Sequence, residues 1–219
     1  MRGVMRGAMR GDTSAAPPGR AGLAVGSVTA VFGGTFDPLH LGHLVVAEWV
    51  AESERLERVL FIPAGRPPHK EGRTFAPAAD RLAMVEGAVA GNSRFAVSAI
   101  ELEGGGPSFT IDTVRRLKAQ GLTEVALILG ADSLVELGSW REPEALLAEC
   151  RVLVVDRPGS DLSLAPEPFR RQARLVRAPR LDISSRDIRA RVRARMSIRY
   201  LVPEVVREYI GERGLYLEA

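Results

Sequence analysis

The sequence is short of several residue types, and each shortage removes a class of explanation. Cys150 is the only cysteine among 219 residues. No internal disulfide can form, nothing points to an oxidising compartment, and the cytoplasm is the expected location. Histidine occurs only at positions 40, 43 and 69, with His69 in a different loop from the other two. Two imidazoles do not fill a tetrahedral zinc site, so no resident metal centre is expected. Lysine occurs only at 70 and 118, so the positive charge is almost entirely arginine and the formal net charge is +3. That skew reflects composition more than an adapted basic surface, and no nucleic-acid partner is expected. No apolar run approaches the roughly 20 residues that span a bilayer, so no membrane association is expected either. Neither a Walker P-loop pattern nor a G-x-G-x-x-G fingerprint occurs.

What is present reads as one soluble domain with a small appendage. Residues 1–27 stand apart: a threefold Met-Arg-Gly echo and many small residues, with no periodicity. The expectation there is a disordered tail or an over-extended start, with Met5 and Met9 as rival initiators. From Ser27 onward, apolar runs of strand length (27–32, 58–63, 94–100, 124–130 and 151–156) alternate with helical spacing at 41–53, 78–90, 109–120 and 132–149, the last interrupted at Pro143. Near-continuous hydrophobicity marks strands covered on both faces. The succession predicts an α/β fold: a doubly wound, mostly parallel sheet whose ligands lie beyond the carboxyl ends of its strands. This body is expected over 28–181. A small helical module follows over 182–219, with a capped helix opening at Ser184 and a second begun at Pro203 and stopped near Gly214.

The stretch "GGTFDPLHLGH", Gly33 to His43, concentrates the chemistry. Gly33 and Gly34 follow the first strand, where backbone amides can come close to an anion. His40 and His43 fall i and i+3 at the start of a helix, near its positive end. Together these make a phosphate site, although a Gly-Gly pair more often only turns the chain. Ser184 and Ser185 at a helix N-terminus, with Arg189 about one turn inside, form a second anion-binding arrangement. The arginines beyond Arg189 read as a solvated helix face. Trp140 by itself reads as core or surface filler, and Asp132 as a helix cap.

"GGTFDPLHLGHL" resembles the T/H-x-G-H signature of the nucleotidyltransferases, and in this long form that of the bacterial nicotinate-mononucleotide adenylyltransferases. "GRPPHK" (65–70), "FTIDTVRRL" (109–117), "LGADSLVELGSW" (129–140), "ISSRDIRAR" (183–191) and "SIRYLVPEVVREYIGERGLY" (197–216) agree in order and spacing. The resemblance covers Val28 to Tyr216. It implies a Rossmann-like nucleotidyltransferase fold and transfer of the adenylyl group of ATP to nicotinate mononucleotide, with Mg2+ carried by ATP. It also implies roles for individual residues. His40, His43, Lys70 and Arg189 would be catalytic. Gly33, Gly34, Thr35, Phe36, Asp132, Ser184 and Ser185 would bind ATP, with the C-terminal module completing that site. Thr110, Trp140 and Arg141 would hold nicotinate mononucleotide. Arg141 stands where an aromatic residue is usual, and Arg186 where the motif has threonine. An adenylyltransferase with another acceptor, a nucleotide sensor and an RNA-binding module are the rival readings.

Overall fold

The computed structural model describes residues 28–66, 75–104, 106–155, 161–179 and 181–217. The 1–27 segment and the His69–Lys70 pair lie outside the described residues. Six strands, β1 (Val28–Gly34), β2 (Arg58–Pro63), β3 (Phe95–Val97), β4 (Glu124–Gly130), β5 (Arg151–Val155) and β6 (Arg174–Val176), form one sheet in the order β3-β2-β1-β4-β5-β6. Every neighbouring pair is parallel. The order reverses between β1 and β4, and in sheets of this kind ligands bind at that point, beyond the carboxyl ends of the strands.

Period-2 geometry sends successive side chains of each strand to opposite faces, and both faces are covered. Val31, Leu60, Ile62, Leu127, Leu129, Val152 and Val154 pack on one side, with α3 (Thr110–Ala119), α4 (Ala131–Glu136) and α5 (Pro143–Glu149). Ala30, Phe32, Phe61, Ala126, Ile128 and Leu153 pack on the other, with α1 (Leu41–Ser53) and α2 (Ala78–Val89). Two layers of apolar surface explain why the strand sequences are apolar throughout rather than alternating.

The expected strands and helices are present with small shifts. β1 runs through Gly34, so the two glycines belong to the strand, where they pair with Ile62 and Pro63. The sharp turn comes later, at Phe36, whose φ is 47°. The helical stretch over 132–149, expected to be interrupted at Pro143, is two helices, α4 and α5, with a short 3₁₀ turn at Leu137–Ser139 between them. Pro143 opens α5 at its first position, where its missing N–H costs no helical bond. The short helix α6 (Glu167–Gln172) and strand β6 are additional. Each is too brief to show periodicity, and β6 exists because β5 offers an edge to pair with.

The C-terminal module contains α7 (Ser185–Arg193) and α8 (Glu204–Arg213). Ser184 caps α7: its Oγ accepts from Asp187 N at 3.1 Å. Gly214 ends α8 in the left-handed conformation, φ 61°. Ile188, Ile198, Val202, Val206, Ile210 and Tyr216 form a third apolar cluster with Ala76 and Met84. Buried Asp80 of α2 accepts from Tyr209 Oη at 2.8 Å and from Arg213 Nε at 3.2 Å, which pins α8 to α2. The module is therefore packed onto the α/β body through α2.

Candidate active site

The segment leaving β1 is shaped by what small residues leave out. A Cβ on Gly34 would meet the Phe36 ring at 3.0 Å, so the glycine makes room for the ring as the chain turns beneath it. A Cβ on Gly42 would lie 3.0 Å from His40 Nδ1, so the glycine between the two histidines admits the His40 ring. His40 is the N-cap of α1 and His43 its third residue. Their rings stack with centroids 3.7 Å apart and an interplanar angle of 26°. The edge of Phe36 meets His43 at 5.1 Å.

His40 N donates to His43 Nδ1 at 3.2 Å. An imidazole nitrogen that accepts carries no proton, so this bond assigns the proton of neutral His43 to Nε2. His43 is thereby a hydrogen-bond donor oriented by its own helix cap. His40 is buried at 5% exposure, while Gly33 is open to solvent, with nothing within 4 Å of where its Cβ would be. Backbone can approach a ligand there without obstruction.

Side chains from α2 and α7 then take up the carbonyl oxygens of the turn. Arg81 Nη1 donates to Thr35 O at 2.8 Å, Arg189 Nη1 to Asp37 O at 2.6 Å, and Ser185 Oγ to Pro38 O at 2.9 Å. Leu41 N donates to Leu201 O at 3.0 Å, so the start of α1 is also held by the C-terminal module. Compensating those carbonyls with donors, two of them cationic, favours an anion at the loop. The first-turn amides of α7 have no intrahelical acceptor, and they add a positive helix end beside it.

The Arg189 guanidinium also lies 4.1 Å from the centroid of the Phe75 ring. Burial lowers the pKa of Arg189, and of fully buried Arg81, while the nearby Asp37 charge works in the opposite sense. A guanidinium is so weak an acid that both remain cations.

The acceptor candidates form a second group. Thr110 opens α3 and Trp140 follows the 3₁₀ turn, partly buried against the core beneath α3 and α5. Arg141 reaches back to the first turn of α3: its guanidinium lies 4.8 Å from the Phe109 ring centroid and 3.4 Å from Asp112 Oδ2. Arg141 is thus brought beside the first turn of α3, which Thr110 opens, although 31 residues separate the two in sequence. Asp132 is the second residue of α4, and Gly130, not Asp132, is the N-cap. It projects from the carboxyl end of β4, beside β1 in the sheet.

Three residues escaped the sequence reading: Asp37, Arg81 and Tyr216. Asp37 is 3% exposed and accepts from Phe75 N at 2.8 Å, Ala76 N at 3.2 Å and Tyr216 Oη at 2.7 Å. Its one signal was that it is the single carboxylate within the Gly33–His43 stretch. Arg81 and Tyr216 lie 44 and 179 residues away from it in the chain, and nothing local marks them.

A parallel sheet with this order, and a histidine- and arginine-lined turn at its switch point, is the framework of a Rossmann-like nucleotidyltransferase. The chain belongs to the cytidylyltransferase-like family, whose model matches residues 31–191. It is 48% identical over 191 residues to a protein of Roseiflexus sp. (strain RS-1) described as a probable nicotinate-nucleotide adenylyltransferase, the match covering 85% of this chain and 96% of that one. A protein of Rubrobacter xylanophilus with the same description is 46% identical over 196 residues, covering 85% and 90%. Among solved structures, the Plasmodium falciparum nicotinic acid mononucleotide adenylyltransferase complexed with NaAD superposes with a TM-score of 0.72 at 20% identity, covering 88% of this chain and all of that one. At that identity the likeness speaks for the fold. No helix among the described residues is long and apolar enough to cross a membrane.

Proposed function

We propose that this protein transfers the adenylyl group of ATP to nicotinate mononucleotide, releasing pyrophosphate and forming nicotinate adenine dinucleotide, a step of NAD biosynthesis in the cytoplasm. The observation that carries the proposal is the intact loop from Gly33 to His43, with its paired imidazoles and Arg189, in a chain 48% identical to a relative of that description.

An oxygen of the mononucleotide phosphate attacks the α-phosphorus of ATP. The bond from that phosphorus to the bridging α–β oxygen breaks, and its electron pair leaves with pyrophosphate. No protein nucleophile takes part, so the chain contributes position and charge. His43, donating through Nε2, and His40 stabilise the negative charge that grows on the phosphates. Arg189 and the first turn of α7, with Ser184 and Ser185, hold the outer phosphates. Gly33, Gly34, Thr35 and Phe36 line the cradle, Lys70 adds a point charge, and Asp132 meets the nucleoside side. The C-terminal module completes the ATP site by supplying α7. Thr110, Trp140 and the backbone of Arg141 hold the acceptor.

The donors of the described cradle are imidazole, hydroxyl, amide and guanidinium groups. They fit a triphosphate that arrives with its own Mg2+, held by phosphate oxygens and water as that ion prefers. Bound there, the cation would neutralise part of the phosphate charge.

A pyrophosphate-release assay with ATP and Mg2+, comparing nicotinate mononucleotide, nicotinamide mononucleotide and phosphopantetheine, tests class and acceptor together. The nicotinate form should lead the amide by about tenfold or more in kcat/KM, on the order of 1.4 kcal/mol. Equal turnover of the two pyridine nucleotides would overturn the acceptor assignment, and no turnover of any would overturn the reaction.

A further inference from the structure

Asp37 sits where four segments meet. Its backbone belongs to the turn after β1, and its carboxylate accepts from Phe75 N, Ala76 N and Tyr216 Oη. Arg189 of α7 donates to its carbonyl oxygen. Arg81 of α2 holds the turn two residues earlier, at Thr35 O. An ionised carboxylate can only accept hydrogen bonds, and here every described partner of its oxygens is a donor from another segment.

Tyr216 is the least expected of these partners. It follows α8, is 8% exposed, and donates its hydroxyl proton to Asp37 Oδ1 at 2.7 Å. A buried hydroxyl aimed at a buried carboxylate is strong and strict in geometry, because any displacement leaves the hydroxyl unpaired away from water and takes one donor from the carboxylate. Burial and the Asp37 charge together push the Tyr216 hydroxyl well above its ordinary pKa, so it stays a donor.

We propose that Tyr216 is a positioning residue for the phosphate cradle. Its hydroxyl locks Asp37, and with it the turn that leads into His40 and His43, at a fixed place relative to α7 and Arg189. Asp37 also holds the backbone of Phe75, whose ring faces the Arg189 guanidinium. The end of the chain thereby sets the registry between the two halves of the triphosphate site. This rests on the reading of that site given above.

The test compares Tyr216→Phe with Tyr209→Phe. The second variant loses a hydroxyl bond of the same kind, to Asp80 on α2, whose described partners are Tyr209 and Arg213 and not the turn. Both should melt below the parent. Tyr216→Phe alone should raise ATP KM and lower kcat, each by about threefold or more, with the KM for nicotinate mononucleotide within about twofold of the parent. Binding of a non-hydrolysable ATP analogue, measured calorimetrically without acceptor, should weaken in parallel. Parent-like kinetics and analogue binding in Tyr216→Phe, or an equal loss in both variants, would overturn the proposal. An inactive parent that still binds the analogue more tightly than Tyr216→Phe would overturn the reaction but not this role.

Hydrogen exchange on the parent supplies a measurement that needs no variant. The ATP analogue should slow amide exchange at residues 215–217 as well as at 36–44, because coupling between two sites is reciprocal. Slowing confined to 36–44 would count against the lock.

Discussion

On the proposed reading His43 and Arg189 act on the same triphosphate in different ways, and their variants should separate. His43 donates from a ring whose tautomer is set by the His40 amide. If it meets charge that develops in transfer, His43→Ala should lower kcat by roughly 10² to 10³, as loss of an oxyanion donor does, with a smaller effect on ATP KM. In the proposed mechanism Arg189 contacts the outer phosphates before and during reaction, so Arg189→Ala should raise ATP KM as well as lower kcat. Steady-state kinetics with melting curves decide this, and a folded His43→Ala enzyme with kcat within about twofold of the parent would refute the catalytic role.

Cys150 offers a contrasting case. Burial pushes its thiol up to about 11, so the thiolate is scarce near neutrality. Alkylation by iodoacetamide at pH 8 should be slow in the folded protein and rapid in denaturant.

Glu101 gives a pH-dependent expectation. Burial raises its pKa above the ordinary 4.5, against the hydrogen bonds from Thr113 and Ser108. The folded chain then keeps this proton at pH values where the unfolded chain has released it. Its contribution to stability is fully present below about 4.5 and is lost as pH rises through the folded-state pKa. Glu101→Gln retains an acceptor for Thr113 Oγ1, which donates at 2.8 Å. It should flatten this part of the profile in urea titrations. An unchanged slope would remove Glu101 as the source.

Helix ends decide where the functional groups stand. α1 begins at a histidine cap, α7 at the Ser184 cap, and each delivers its first turn to the Gly33–His43 segment. α8 ends in a glycine because the chain must turn back there, through φ 61°, to bring Tyr216 to Asp37. Nothing crowds a Cβ at Gly214, where the nearest atom would be 3.7 Å away. Gly214→Ala therefore tests the backbone strain alone. It should cost about 1 kcal/mol, lowering Tm by a few degrees.

At the scale of the whole molecule, the proposed site couples the C-terminal module to ligand. The α/β body supplies the histidines and α7 supplies the arginine, while α2 and Asp37 join the two. Ligand that bridges both parts should stabilise the folded chain by mass action. At 100 times its Kd, an ATP analogue should add about 2.7 kcal/mol to the unfolding free energy. Arg189→Ala should lose most of that increment at the same analogue concentration.

The alternation of apolar runs with helical spacing was sufficient for the class of fold, because a strand buried on both faces and an amphipathic helix write themselves locally. The same holds for the Ser184 cap and the Gly214 stop, which depend on a few neighbouring residues. The Gly33–His43 stretch likewise marked itself as the candidate phosphate site, since imidazoles, small residues and a helix start lie together in the chain. β6 was not legible: it is three residues long, and only the exposed edge of β5 makes it a strand. Nor could the sequence say that Phe36, and not the glycine pair, makes the turn. That follows from the ring packing against Phe32, Phe61 and His43. Asp37, Arg81 and Tyr216 were decided by the tertiary structure alone. A buried carboxylate is stable only where donors surround it, and its donors come from segments that folding brings together.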